Sequence, residues 1–530
     1  MIAPIFSICY NSIELECSWR VFMNKKIKPL LSILPIFCMA TAGCSISTIV
    51  TDANIDQWYD TATGEINITE DVEIEWWTWG GNAANEIFTN IAKTFSSSVC
   101  PNIKVKYSNF PSSSYLNTLA NSSNHLPDLF FMPDTDFYEY AFNGVIWDFS
   151  KYITKAELDD VWEAGYERYM YNPETKIVGN TSGAGLFALP KDISTFSLCY
   201  NENLMKEACK NLDLDYTEIR NEYLVDTKPI SWVKFIELGQ KIKPYLDKVK
   251  KFFLSHYELN AAIFSNNADF FSDDGRTSRI EEPQFARALD FMHSLANEYG
   301  LMAGASGSNT TTGYNAFVGK NALFSFFGPW DCEVFWGVTS TEEYKDFAVK
   351  MVPVPYGPGA DDVYGTADDG ISCAQIGSAG YCISKKSTTT NLQRAAALKF
   401  CKWLTINEDA QRQLYQMGTQ LPNLISMKDE YINFGKGMVT TYTGEKIPVN
   451  PSNLNAFIDV VDGSSETDHV TGKAKPETRI LTNEYKTDWS NTVTKTKFWS
   501  DKDMTGAKLV AAYKDILQSR INDSNAKLGR

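Results

Sequence analysis

The sequence predicts an α/β fold, and three observations carry that reading. Near the start of the body, segments that alternate apolar and polar residues are followed by segments whose apolar residues recur at helical spacing, and the pattern repeats. Further on, a strand-like run over 379–384 leads again into an amphipathic stretch at 392–404. At 530 residues with 44% hydrophobic content, the chain is long enough for two to four domains with full-sized cores.

Taken in order, Val72-Glu73-Ile74-Glu75-Trp76 alternates with period two and reads as a strand. Ile87, Phe88, Ile91, Ala92 and Phe95 fall on one face of a helix. Ile103-Lys104-Val105-Lys106-Tyr107 alternates again, Tyr115, Leu116 and Leu119 mark a second helix, and 128–132 is a short apolar strand. Strand–helix–strand–helix–strand at this spacing indicates a largely parallel sheet covered by helices. The middle of the chain is helix-rich, with breaks at Lys228-Pro229, Asp274-Gly275 and Gly357-Pro358-Gly359. A helix over 408–417 is expected to stop at Gly418, and the last helix covers 506–521. No internal repeat is visible.

The amino terminus carries a processing signal. Lys25, Lys26 and Lys28 precede an apolar run over 29–42 that ends in Thr41-Ala42-Gly43-Cys44. A basic region, a short apolar core and small residues before the cut are the parts of a secretory signal, and the run is too short to span a bilayer. Small residues followed directly by Cys resemble a bacterial lipobox, in which Cys44 is lipidated and becomes the first mature residue. Thr41 stands where lipoboxes usually carry Leu. Met23 is the natural start of this signal, so residues 1–22 read as an over-extended amino terminus, 23–43 as the signal peptide and 44–70 as the lipidated Cys with a flexible, Ser/Thr/Asp/Asn-rich tether.

Composition narrows the function. A formal charge of −16 argues against nucleic acid and anionic headgroups as partners of the body. Aromatic residues reach 13%, which supplies a large core and leaves a minority to line a site for flat, partly apolar ligands. The 11 cysteines form no CxxC pair, and the 4 histidines (His125, His256, His293, His469) are scattered. That pattern disfavours a metal centre and a His-based nucleophile. The cysteines beyond Cys44 read as buried thiols rather than a disulfide framework. Four Asp lie in the Gly-rich stretch 357–370, whose spacing is not that of an EF-hand; a solvated hairpin insertion is expected there.

Five blocks are more specific. Pro127-Asp128-Leu129-Phe130-Phe131 runs on to Ala141-Phe142-Asn143-Gly144-Val145-Ile146-Trp147-Asp148-Phe149. Leu186-Phe187-Ala188-Leu189-Pro190-Lys191-Asp192 is followed by Leu198-Cys199-Tyr200-Asn201-Glu202-Asn203-Leu204. Pro229-Ile230-Ser231-Trp232 begins a helix, and Phe317-Val318-Gly319-Lys320-Asn321-Ala322-Leu323 closes with Gly328-Pro329-Trp330. The last block joins 377–387, 395–404 and 408–422. In this order, over roughly 71–425, the blocks resemble those of the bacterial extracellular carbohydrate-binding proteins, the maltose-binding-like family of ABC-importer lipoproteins. The final hundred residues match only loosely.

The resemblance implies a two-lobed periplasmic-binding-protein-like fold of type II, with a ligand cleft between lobes joined by hinge strands. Lobe 1 is expected at 71–190 plus 377–432 and lobe 2 at 198–371 plus 450–530, with crossings at 191–197, 372–376 and 433–449. It implies a monomer on the outer face of the bacterial cytoplasmic membrane, held only by the lipid at Cys44. There it captures a sugar or oligosaccharide and hands it to the transmembrane subunits of an ABC permease, with no cofactor, no metal and no catalytic residue. The same fold binding a peptide or polyamine, and a secreted glycoside-active enzyme, are the competing readings.

Site residues follow from these positions. Trp76-Trp77-Thr78-Trp79-Gly80-Gly81-Asn82 leaves the first strand and enters a helix, so its tail is expected at the cleft. Alternation assigns Trp76 to the core, and Trp79 and Asn82 to the site. Asp134 and Asp136 follow the third strand and resemble the family's acidic acceptor of sugar hydroxyls, a task suited to a carboxylate that takes two donors at once. Capping of the next helix is the structural alternative for either Asp. Trp330 resembles the family's sugar-stacking indole. Lys191, Asp192, Gln375 and Ser378 are added by their nearness to the hinge.

Overall fold

The computed structural model describes residues 53–530 apart from 123–124, 303–313, 336–346, 387, 441–443, 463–464, 467–468, 471–474, 477–478 and 483. The start site, the signal peptide, Cys44 and the first part of the tether lie outside the described residues. In β1 (Val72–Trp79), Ile74, Trp76 and Thr78 are buried, while Glu73 is exposed. Its parallel neighbour β2 (Ile103–Phe110) sets Lys104 and Lys106 opposite Glu73 and Glu75, giving ion pairs of 2.5 and 2.8 Å. The apolar side fixes the register, because a one-residue slip would turn Trp76 to solvent. Trp76 is fully buried, with the rings of Tyr107, Phe400 and Phe88 centred 5.0, 5.1 and 5.5 Å away.

Between these strands runs α1 (Asn82–Thr94), with Ile87, Phe88, Ile91 and Ala92 turned inward. The chain continues through α2 (Ser112–Asn121), β3 (Leu129–Pro133), α3 (Asp134–Phe142) and β4 (Ala188–Pro190), then crosses through β5 (Ser194–Thr195). The second lobe uses β6 (Ser197–Asn201), α4 (Trp232–Val249), β7 (Phe252–Leu254), α5 (Pro283–Asn297), β8 (Ala322–Phe327) and β9 (Val349–Val352). Return is through β10 (Gln375–Gly377) to β11 (Ala379–Ile383), α6 (Asn391–Ile406) and α7 (Glu408–Gln416). Helix α7 stops as expected, with Gly418 at φ +76°. A short strand β12 (Lys475–Pro476) precedes α8 (Glu484–Lys495) and α9 (Gly506–Leu528).

Three sheets organise these elements: β2-β1-β3-β11-β4 in lobe 1, β7-β8-β6-β9 in lobe 2, and β12-β10-β5 at the hinge. Each lobe has its own core. Lobe 1 gathers side chains from Ile55 to Leu189, apart from Val161 and Trp162, and again from Tyr381 to Leu414, and lobe 2 gathers that pair, the side chains from Leu198 to Ala374 and most of the chain from Tyr415 onward. This is the two-lobed α/β architecture that the resemblance implies.

Three boundaries differ from expectation. The tether expected over 44–70 is docked from Ala53 onward: Ile55, Ile66 and Ile68 are buried, and Ile55 N donates to the Tyr152 hydroxyl at 3.1 Å. Two lysines of α6, Lys399 and Lys402, donate to the carbonyls of Ile66 and Gly64 at 2.5 and 2.8 Å. The polar composition hid three isoleucines that have a lobe to pack on. Second, the crossing expected at 433–449 is instead a hairpin, Met438–Thr440 against Lys446–Pro448, with Val439 and Ile447 buried in lobe 2. The third hinge strand is β12, parallel to β10. A crossing strand and a hairpin strand share the same alternation, and only the pairing partner separates them. Third, within residues 415–432, expected in lobe 1, Tyr415, Leu421, Leu424, Met427 and Tyr431 complete the lobe 2 core.

All seven cysteines from Cys100 to Cys401 are buried, and no disulfide joins them among the described residues. Among the described residues, no helix is long and apolar enough to cross a membrane.

Candidate functional site

Strand direction locates the cleft. β1 and β3 run parallel, with Trp76 beside Leu129, so Trp79 and Pro133 end at the same edge of the lobe 1 sheet. Pro133 pairs with Ala379, two residues beyond β10 of the hinge. In lobe 2, β7 and β8 are also parallel, and Phe327 at the end of β8 pairs with Ser197, two residues beyond β5 of the hinge. Both sheets therefore turn the carboxyl ends of their parallel strands toward the hinge. Ligand-binding loops of open α/β sheets gather at such edges.

From lobe 1 come Trp79, Asn82, Asp134 and Asp136. Trp79 is half-buried and packs on Tyr115 and on the edge of Phe131, with ring centroids 5.0 and 5.2 Å apart. Asn82 is the first residue of α1, and its side chain lies outside the described residues. Asp134 and Asp136 occupy the first turn of α3, where the helix dipole favours negative charge. Pro133 is the N-cap, so neither Asp holds the N-cap position. Asp134 forms a 2.5 Å ion pair with Arg168, their side chains 7% and 4% exposed. Arg168 also donates to the carbonyls of Ile376 at 3.1 Å and Ala164 at 3.0 Å. Asp136 is half-buried and accepts from Thr135 Oγ1 at 2.8 Å.

The hinge residues form a connected polar group. Lys191 and Asp192 make a buried 2.7 Å ion pair, and Lys191 Nζ also donates to Thr419 O at 3.2 Å. Ser378 Oγ donates to Asp192 O at 2.7 Å and lies 2.9 Å from the Tyr169 hydroxyl. Since the serine proton is directed at a carbonyl, Tyr169 is the donor in that second bond. Burial pushes the Tyr169 phenol well above its ordinary pKa, with Asp134 adding to the effect, so it stays a donor. Asp134 N donates to Ser378 O at 3.0 Å, which ties α3 to the same group. Gln375 is buried in β10, and its Oε1 has no hydrogen-bond partner among the described residues. A buried amide oxygen without a partner is costly unless something else fills the position.

Lobe 2 contributes Trp330, in a 3₁₀ turn over Pro329–Val334 directly after β8. The indole is half-buried and meets Phe196 edge-on, with centroids 5.0 Å apart and planes at 85°. It folds back over its own backbone, and a β-carbon at Gly328 would lie 2.2 Å from the ring. Only glycine permits that approach.

The structure thus brings Asp134, Asp192, Gln375 and Ser378 together around β10, while Trp79 and Trp330 sit on opposite lobes without touching. Sequence reasoning missed Arg168, Tyr169 and Phe196. It also passed over His256, one of the scattered histidines. His256 lies just past β7, at the same edge as Trp330, and its ring nitrogens are 3.0 Å from Ser255 Oγ and 2.9 Å from Glu258 Oε1. The polar run Ser255-His256-Tyr257-Glu258 after a short apolar strand is the signal that could have found it.

A cavity of about 410 Å³ opens beside Asp134 and Arg168, closed by Tyr138, Asp274, Arg479 and Arg530. A larger groove of about 700 Å³ lies between α4 and α5 of lobe 2 and holds none of the expected site residues. No cluster of three or more potential metal ligands exists among the described residues. In the Gly-rich loop, the Asp361, Asp368 and Asp369 carboxylates accept loop N–H groups, and Asp362 pairs with Arg287 at 3.0 Å. These carboxylates are turned to holding the loop's own backbone.

Two lobes, a three-stranded hinge and carboxyl-terminal strand edges facing it define a solute-binding protein of the type II class. Residues 80–411 match the profile of the bacterial extracellular solute-binding proteins, and the chain belongs to that family. None of the characterised proteins with which the sequence was compared matches it. Solved structures share the fold. The ABC substrate-binding protein Lmo0181 from Listeria monocytogenes, in complex with cycloalternan, is 17% identical and has a TM-score of 0.61, over 87% of this chain and 100% of that one. The cyclic α-maltosyl-1,6-maltose binding protein from Arthrobacter globiformis is 18% identical with a TM-score of 0.60, over 86% and 100%. Maltose-bound MalE3 of T. maritima is 17% identical with a TM-score of 0.59, over 84% and 99%.

Proposed function

We propose that this protein captures a sugar or oligosaccharide between its lobes and delivers it to an ABC-type importer, without catalysing a reaction. The observation that carries the reading is Trp330, a half-buried indole at the hinge-facing edge of lobe 2, set against a lobe 1 edge that presents the acidic first turn of α3. A flat apolar surface on one wall and hydroxyl acceptors on the other suit a pyranose ring, which has an apolar face and a polar rim. In this reading Trp330 stacks on the sugar and Asp136 accepts its hydroxyls. Asp134, committed to Arg168, holds the end of α3 in place. The Gln375 oxygen takes a ligand hydroxyl, Asp192 and Ser378 fix the hinge backbone around it, and Trp79 and Asn82 complete the lobe 1 wall. The structural relatives that bind cycloalternan, cyclic maltosyl-maltose and maltose support the sugar class. The lipid anchor at Cys44, the outer face of the membrane, the monomeric state and the permease partner belong to the same proposal and rest on the leader sequence and the family.

Isothermal titration of a body spanning residues 47–530 tests it, with maltose, maltotriose, cycloalternan and other sugars set against peptides and polyamines. Heat with at least one sugar is expected, with affinity reduced about tenfold or more in Trp330→Ala. Heat only with peptides or polyamines, or none with any sugar, would refute the sugar assignment. Cleavage of a bound oligosaccharide would make the protein an enzyme.

A further inference from the structure

The final helix begins in one lobe and ends in the other. Leu509, Val510, Tyr513, Leu517 and Ile521 of α9 are buried in the lobe 2 core, whereas Leu528, 2% exposed, belongs to the core of lobe 1. Leu481 makes the same passage, buried in lobe 1 while its N–H donates to Ser524 Oγ of α9 at 2.9 Å. The segment after the hinge strand and the last turns of α9 therefore reach lobe 1 as one piece. The helix stops at Gly529, in the left-handed region at φ +69°, and Arg530 N closes the turn on Asn525 O at 2.9 Å. A β-carbon at Gly529 would lie 3.4 Å from Lys176 Nζ of lobe 1. Burial raises the Glu139 carboxyl of α3, and the charge of Lys527 works against that rise. Arg530 walls the 410 Å³ cavity together with Tyr138 and Arg168 of lobe 1 and Asp274 of lobe 2. On the lobe 2 side, Asn525 Nδ2 donates to Arg276 O at 3.2 Å.

We propose that the last turn of α9, residues 527–530, is a clasp that ties lobe 1 to lobe 2 outside the hinge strands and sets the lobe arrangement before any ligand enters. The hinge strands are two or three residues long, so their few backbone bonds leave the angle between lobes soft. One buried leucine shifts a two-state ratio on the order of tenfold. The element it grips is α3, whose first turn holds Asp134 and Asp136, so the clasp acts directly on the lobe 1 wall of the cleft. This inference does not depend on the ligand being a sugar.

Small-angle scattering of the ligand-free 47–530 body tests it, with melting curves to verify folding. The wild-type curve is expected to match this structure. Leu528→Ala removes the apolar contact and Lys527→Glu sets like charge against Glu139; both are expected to change the distance distribution. Ile516→Ala, at an exposed position on the same helix, is expected to leave it unchanged. Should Leu528→Ala fail to fold, the exposed Lys527→Glu carries the comparison alone. Folded variants that scatter like wild type, or a wild type that already departs from this arrangement, would overturn the clasp.

Discussion

Arg168 serves three elements at once. Its guanidinium pairs with Asp134 at the start of α3, reaches Ile376 O in the middle hinge strand and, through Nε, holds Ala164 O. Both charged groups are almost fully buried, so deleting one strands the other in a poor environment. Arg168→Ala is expected to lower stability by about 3–5 kcal/mol in urea denaturation, while replacing both partners with apolar side chains of similar size restores most of the loss. A stability loss under about 1 kcal/mol would show that the pair is solvated. The two cleft tryptophans should separate in the same way. Trp79 packs on Tyr115 and Phe131, so Trp79→Ala is expected to cost about 3 kcal/mol or more of stability. Trp330 touches Phe196 by its edge only. Trp330→Ala should leave the melting temperature nearly unchanged and act on ligand affinity. At this scale the sequence named Asp134 and Trp330, but not their neighbours Arg168 and Phe196. Those partners lie 34 and 134 positions away, and no local pattern records such distances.

The helix Lys428–Phe434 is joined to α7 by Glu430, which accepts from Arg412 Nε and Nη2 at 2.6 and 2.9 Å and from the Tyr415 hydroxyl. The Arg412 guanidinium holds the Glu430 carboxyl below its usual 4.5, burial opposing only in part. A carboxyl depressed in the fold contributes stability that is full above the unfolded value and is lost as pH falls through the folded one. Glu430→Gln is therefore expected to be less stable than wild type at neutral pH, by under about 1 kcal/mol because the pair is partly exposed. The gap should close as pH falls from 4.5 through the lower folded value; a gap of constant size across an acid titration would contradict this. Elements themselves were largely legible. The alternation of 72–76 extends to Trp79, and the periodic apolar residues of 87–95 lie in α1 and the turn after it. The hairpin at 438–448 was not, because its residues alternate as a crossing strand would and only its partner reveals the difference.

For the whole molecule, the thiols offer a test of packing in both lobes. Cys100, Cys382 and Cys401 lie in or beside lobe 1, and Cys199, Cys209, Cys332 and Cys373 in lobe 2, all buried. Burial lifts the thiols of Cys199 and Cys382 well above their ordinary pKa, which removes the reactive thiolate. The 47–530 body should show no fast reaction with a thiol reagent when native and seven equivalents after unfolding. One or more fast thiols in the native state would mean that a lobe opens locally.

By itself the sequence determined the α/β class, the order of the first strands and helices and the family, because each is written in local periodicity or in short ordered motifs. Only the tertiary structure decided which segment supplies the third hinge strand, that residues 53–70 dock on lobe 1, that Asp134 is held by Arg168, and that α9 ends in the opposite lobe. Those outcomes depend on which distant surfaces meet. A buried leucine or a neutralised carboxylate looks the same in sequence whichever lobe receives it.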